Sequence, residues 1–159
     1  MRRLTHTWRA TVDDAADVAR LLIAFRDHNG YDWPPDSVFT DGVQQLLSDA
    51  DTEFLLAAPA EDEPPAGVAQ LRFRWGIWRN GGDCLVEDVF VEQGARGTGA
   101  GRALMDLASE RARERGCTRM ELDASEENEA ALALYRSFGF TERSAPDKPR
   151  DLYLRRHLD

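Results

Sequence analysis

Val18, Leu21, Leu22 and Phe25 recur at steps of three and four, the spacing that lines one face of an α-helix. They predict a helix from about Asp13 to Asp27, entered through Thr11 as N-cap with Asp14 in an acidic first turn. The stretch from His28 to Asp36 ends it, because Gly30 can turn left-handed and Pro34 and Pro35 cannot continue helical hydrogen bonds. A shorter helix follows, with Phe39, Val43, Leu46 and Leu47 on its buried side. Leu4 to Arg9 and Glu53 to Ala58 read as strands on either side of this helical pair.

From Gly67 to Trp75 the pattern changes period. Val68, Gln70, Arg72 and Arg74 alternate with Ala69, Leu71, Phe73 and Trp75, which marks a strand. Asn80-Gly81-Gly82-Asp83 is a turn signal, and Cys84 to Val91 is the next strand. Beyond a glycine-rich turn, Ala103, Leu104, Leu107, Ala108 and Arg111 line a long helix that Gly116 can close. Thr118 to Asp123 predicts a strand, Asn128 to Phe138 a helix, and Phe140 to Ser144 and Asp151 to Arg156 two closing strands. Pro59 to Ala66 is polar and proline-rich, a surface loop within one domain spanning residues 1–159. This order predicts a mixed α/β sheet with helices on its faces.

Composition narrows the functional classes. The chain of 159 residues is 42% hydrophobic and 31% charged, the balance of a globular protein. A formal net charge of −9 argues against nucleic-acid binding, which needs a basic footprint, and is compatible with cationic small molecules. There is no apolar run long enough for a membrane helix, and the basic start Met1-Arg2-Arg3 lacks the apolar segment of a signal peptide. A cytoplasmic location is therefore expected. Cys84 and Cys117 are far apart and have no histidine cluster near them, so no metal site is expected.

The densest chemical signal is Arg96-Gly97-Thr98-Gly99-Ala100-Gly101-Arg102, between a strand and a helix. Glycines let the backbone turn tightly and approach a ligand, and the first N–H groups of the following helix lack internal partners. With the helix dipole these make an anion site suited to a pyrophosphate, to which Arg96 and Arg102 can add charge. The Walker pattern fails, because Arg102-Ala103 stands where Lys and Ser or Thr are required. The dinucleotide fingerprint fails as well: the spacing is GxGxG and the loop falls past mid-chain.

Downstream lie Asn128, Ala131, Leu134, Tyr135, Gly139 and Phe140, in the spacing Asn-x-x-Ala-x-x-Leu-Tyr-x-x-x-Gly-Phe. Together with Arg96, Gly99 and Gly101 in a pattern Arg-x-x-Gly-x-Gly, this resembles the GNAT N-acetyltransferase superfamily over roughly Val68 to Ser144. The resemblance implies a single-domain α+β fold: a mixed, mostly antiparallel sheet of about seven strands flanked by about four helices, splayed between its fourth and fifth strands. Acetyl-CoA would lie in the gap, with backbone groups of Val89, Phe90 and Val91 pairing with its pantetheine arm. Amides of Gly97, Thr98, Gly99, Ala100, Gly101 and Arg102 would hold the pyrophosphate, and Asn128 would lie beside the cofactor.

Transfer to an amine requires a base to free the nitrogen, since an alkyl ammonium titrates near 10. Glu87 is the candidate: Leu85 to Val91 resembles the strand carrying an acidic base in the spermidine/spermine (diamine) acetyltransferase branch. Asp88, the next residue, is expected on the opposite face as a structural group or substrate anchor, with Glu121 and Asp123 in reserve. Tyr135, matched to the family motif, would protonate the departing thiolate or position the cofactor. A backbone N–H near Phe90 would meet the oxyanion. Trp75, Trp78, Tyr31, Trp33, Asp27, Asp32 and Asp36 are expected around the acceptor. The acceptor is a small-molecule amine in this reading, and the diamine branch implies a homodimer. Protein N-terminal or lysine acetylation, and a non-catalytic acyl-CoA sensor, stay open at this point.

Overall fold

A computed structural model describes residues 5–159. The chain divides into two compact units, one ending at Leu122 and the other spanning Asp123–Asp159. The first unit holds strands β1 (His6–Arg9), β2 (Thr52–Ala58), β3 (Gly67–Gly76), β4 (Gly81–Val91) and β5 (Cys117–Glu121), and helices α1 (Ala15–His28), α2 (Asp36–Leu47) and α3 (Ala100–Glu114). The second holds α4 (Glu129–Ser137). Leu4, the expected start of the first strand, lies outside the described residues.

The sheet runs β1-β2-β3-β4-β5, antiparallel as far as β4, with β5 parallel to β4. Period-two burial sorts the strands into two faces. Phe54 and Leu56 of β2, Val68 of β3 and Phe90 of β4 meet Val18, Leu21 and Leu22 of α1 and Val43 of α2 in one apolar cluster. The other face carries α3, whose Leu104, Met105 and Ala108 are fully buried. The entry to α1 is fixed by Asp14, whose carboxylate accepts a 2.8 Å bond from the Thr11 amide, the return half of a capping box played by Asp in place of Glu.

Five strands form among the described residues, not about seven. Phe140–Ser144 and Asp151–Arg156 make no ladder. Pro146 and Pro149 remove amide donors between them, and Arg143 spends its amide on Thr141 Oγ1 (3.3 Å) and its guanidinium on the Lys148 carbonyl (2.8 Å). A lone bond of 2.8 Å from the Asp151 amide to the Glu142 carbonyl joins the two stretches. Residues 150–159 are exposed throughout, so no buried face fixes a register for them.

One departure from regularity positions the site. Gln70 lies opposite Asp88, whereas Leu71 lies opposite Val86, so Glu87 is an extra residue in β4. This is a β-bulge. A second feature concerns the other edge of β4, which pairs with β5 only from Gly82 to Leu85. From Val86 to Val91 no described strand takes up that edge.

Candidate functional site

The β4 bulge decides where two carboxylates point. In a regular strand Glu87 and Asp88 would face opposite sides, as the sequence pattern suggests. With the extra residue inserted they share one: Glu87 reaches Arg72 of β3 at 3.8 Å, and Asp88 lies opposite Gln70, two residues from Arg72 on the same face. The expectation that Asp88 sits on the opposite side is thereby corrected. Glu87 is 42% exposed, whereas Asp88 opens into a cavity.

That cavity, about 380 Å³, lies between α1, α2 and the β3–β4 pair. Phe25 and Leu22 of α1, Val38, Phe39, Val43 and Leu46 of α2, and Tyr31 and Trp33 of the connecting loop supply its walls. Gln70 and Asp88 form its polar end. Arg26 also contributes, but its guanidinium is only 13% exposed and is held by Asp27 (2.8 Å), Asp36 (2.8 Å) and the Pro34 carbonyl (2.6 Å). Hydrogen bonding to Asp27 and then Asp36 keeps Arg26 above the usual arginine range against the effect of burial. The pair Asp27 and Asp36 thus braces the α1–α2 loop.

Of the aromatics expected around the acceptor, Tyr31 and Trp33 line the cavity. Trp75 and Trp78 do not; Trp78 is 97% exposed. Glu121 is engaged by Arg119 (2.7 Å) and Arg74 (3.2 Å) on the sheet surface. The α2 wall and Gln70 were not singled out as site residues by sequence reasoning. The one local signal for them is Gly42, a glycine in mid-helix beside Val43.

At the end of β4, the chain makes a short 3-10 turn at Gln93–Ala95 and reaches α3. Gly97 (φ +75°) and Gly99 (φ +92°) are left-handed, a conformation in which a side chain would be strained. The Ala103 amide, donating to Gly99 O at 2.9 Å, opens the helical ladder, so the amides of Ala100, Gly101 and Arg102 precede it. A Cβ added at Gly97 or Gly99 would meet no described atom within 4 Å, so there is open space at these two positions. Thr98 Oγ1 donates back to the Ala95 carbonyl. Arg96 turns away from the loop: its Nε donates to Val91 O (3.1 Å) and its Nη2 lies 3.2 Å from His28 Nε2. Phe90 is buried against Phe25, the ring centroids 5.1 Å apart, so the β4 segment Val89–Val91 is fixed from the α1 side.

In the second unit, Asn128 caps α4, its Oδ1 accepting from the Ala131 amide at 3.2 Å. Tyr135 is half-buried and meets Phe140 edge-on, centroids 6.1 Å apart. Burial, and after it the charge of Asp123, pushes its phenol above the usual tyrosine range. Gly139 (φ +89°) ends the helix, and the Phe140 amide returns to Tyr135 O at 3.1 Å. The motif spacing here serves helix termination.

No group of three or more His, Cys, Asp or Glu among the described residues could hold a metal ion. No helix among them is long and apolar enough to cross a membrane.

Known proteins resemble this chain in sequence and fold. Residues 18–140 match the acetyltransferase (GNAT) family. The aminoglycoside N(6')-acetyltransferase type 1 of Stenotrophomonas maltophilia is 30% identical over 138 residues, which cover 84% of each chain. The thialysine N-epsilon-acetyltransferase of Bos taurus is 30% identical over 54% of this chain and 51% of its own. A crystal structure of a protein from Arthrobacter sp. FB24, assigned as an acetyltransferase, superposes with a TM-score of 0.85 at 32% identity, covering 96% of both chains. A family match across most of the chain, on a fold whose glycine-rich turn leads into the N-terminus of α3, gives one conclusion: this chain is an acetyl-CoA-dependent acetyltransferase and belongs to the acetyltransferase (GNAT) family.

Proposed function

We propose that residues 1–159 act as one N-acetyltransferase domain that moves the acetyl group of acetyl-CoA to a primary amine by direct attack in a ternary complex. The observation that carries this reading is the loop Gly97–Arg102, with two left-handed glycines, open space at Gly97 and Gly99, and three amides that precede the helical ladder of α3. Those amides, with Thr98, suit a diphosphate. The edge of β4 from Val89 to Val91, which no described strand takes up and where Arg96 bonds the Val91 carbonyl, suits an extended pantetheine arm as an added strand, and Asn128 stands at the start of α4. Acetyl-CoA supplies an acyl carbonyl activated as a thioester.

The protein's own groups account for the proton movements. Asp88, at the polar end of the cavity, holds the incoming ammonium, and Glu87, on the same face, takes one proton from it directly or through a water. The neutral nitrogen forms the C–N bond as the C–S bond breaks, and Tyr135, kept protonated by burial, donates to the leaving sulfur. One proton is released to solvent in net terms. A backbone N–H near Phe90 stabilises charge on the carbonyl oxygen. The likeness of Leu85–Val91 to the diamine branch supports Glu87 in this role and carries with it a homodimeric enzyme.

The test is a titration of the protein with acetyl-CoA by calorimetry, followed by an amine screen that monitors free thiol. Heat on titration and thiol release that depends on an added amine are expected. Absence of both overturns the reading.

A further inference from the structure

A trans peptide points its carbonyl and its amide to opposite sides of the chain. The Glu92 amide donates to the carbonyl of Ala66, the residue that leads into β3, at 2.8 Å. The Val91 carbonyl belongs to the same peptide and therefore points away from β3, out from the edge of β4 that no described strand takes up.

That outward oxygen is engaged from within the chain. Arg96 reaches back to it through Nε at 3.1 Å, while its Nη2 lies 3.2 Å from Nε2 of His28, the last residue of α1. A guanidinium carries donors and no acceptor, so Nε2 is the accepting atom and the ring proton belongs on Nδ1. His28 is itself seated against the Phe90 ring, centroids 5.9 Å apart, one helical turn beyond the stacked pair of Phe25 and Phe90. The carboxylate of Glu92, next to Val91, accepts from Arg20 of α1 at 2.8 Å. Helix α1 thus fixes the imidazole, the imidazole fixes the guanidinium, and the guanidinium covers the last carbonyl of the edge. A chain added as a strand would set its own amide nitrogen about 2.9 Å from this oxygen, the place that Arg96 Nε takes.

Resting on the proposed course of the pantetheine arm, we infer that His28 is a positioning residue for acetyl-CoA binding: it holds Arg96 on the Val91 carbonyl, and the cofactor must turn this side chain out to take the end of the β4 edge. Once turned out, Arg96 stands one residue before Gly97, where its charge can meet the diphosphate. His28 touches neither the cofactor nor the acceptor in this scheme and acts through Arg96.

The experiment measures acetyl-CoA affinity by calorimetry in the native chain, His28→Phe, His28→Gln, Arg96→Ala and the double variant Arg96→Ala with His28→Phe. Both side chains are exposed, so the substitutions leave the core intact. Phenylalanine keeps a ring against Phe90 and has no acceptor, whereas glutamine has an acceptor and no ring. His28→Phe is expected to bind acetyl-CoA about threefold or more tighter than the native chain, the scale of one hydrogen bond removed from the competing state. His28→Gln should keep the native affinity, because its Oε1 can accept from Arg96. In the Arg96→Ala background His28→Phe should change nothing, since its effect passes through Arg96. Native or weaker binding in His28→Phe overturns the inference, as does an equal gain in the Arg96→Ala background or in His28→Gln. Each of those results leaves the acetyl-CoA site standing, because the native chain still binds. No heat from the native chain removes that site and this inference with it.

Discussion

Glu53 of β2 accepts two hydrogen bonds of 2.8 Å from Arg111 of α3, a side-on pair joining residues far apart in sequence. The Glu53 side chain is 0% exposed, and Arg115 adds a third bond at 3.1 Å. Burial alone would raise this carboxyl, yet the bonds and charges of Arg111 and Arg115 outweigh it and hold Glu53 below its ordinary value. The pair ties α3 to the sheet. Arg111→Met is expected to cost about 3 kcal/mol, because it leaves part of a buried charge uncompensated. Thermal unfolding measures this.

The sign of its pH dependence follows. A carboxyl depressed in the folded state contributes stability that is whole above its unfolded value, about 4.3, and is lost as pH falls through the lower folded value. The Tm of the native protein should therefore drop on acidification below about pH 4.3 more steeply than that of Glu53→Gln. Equal slopes would show that the cluster does not titrate on unfolding.

Exchanging the two β4 carboxylates one at a time separates their roles. Glu87→Gln should lower kcat by about a hundredfold or more and weaken the acid limb of the pH–rate profile, as loss of a general base does. Asp88→Asn should act mainly on KM for the amine, since it removes the partner of a bound ammonium. If Asp88→Asn instead abolishes kcat and its acid limb while Glu87→Gln leaves them, the assignments are reversed.

Gly99→Ala places a side chain in a left-handed conformation that costs about 1–2 kcal/mol and puts a methyl group into the open space beside the loop. Weaker acetyl-CoA binding by about tenfold is expected from calorimetry, with KM for the amine little changed. Unaltered acetyl-CoA affinity in a folded Gly99→Ala protein would mean that the loop does not grip the cofactor.

Tyr135→Phe removes the phenolic proton and keeps the ring against Phe140. Turnover should fall while acetyl-CoA binding persists. Because burial raises this phenol, an alkaline limb belonging to Tyr135 should lie above the ordinary value of about 10. A limb below that value would have to come from another group.

Much of the architecture was legible one segment at a time. The helix carrying Val18, Leu21 and Leu22, the alternating strand at Val68–Phe73 and the glycine-rich turn before α3 each announce themselves through local period or turn chemistry. The Asn128–Phe140 spacing was legible for the same reason, since a cap, a helix and a glycine stop are all local. The two closing strands failed because alternation offers a strand but cannot provide its partner, and Pro146 and Pro149 interrupt the backbone donors.

What the sequence alone determined about this protein is therefore most of its elements, its family likeness and the tight glycine-rich turn into α3, all properties of neighbouring residues. The tertiary structure decided which carboxylates share a face, because the bulge at Glu87 exists only in the register of β4 against β3. It also decided that Arg111 neutralises Glu53, and that Gly42 borders a cavity ending at Asp88. Each of these depends on distances between segments remote along the chain, and no local period encodes such a distance.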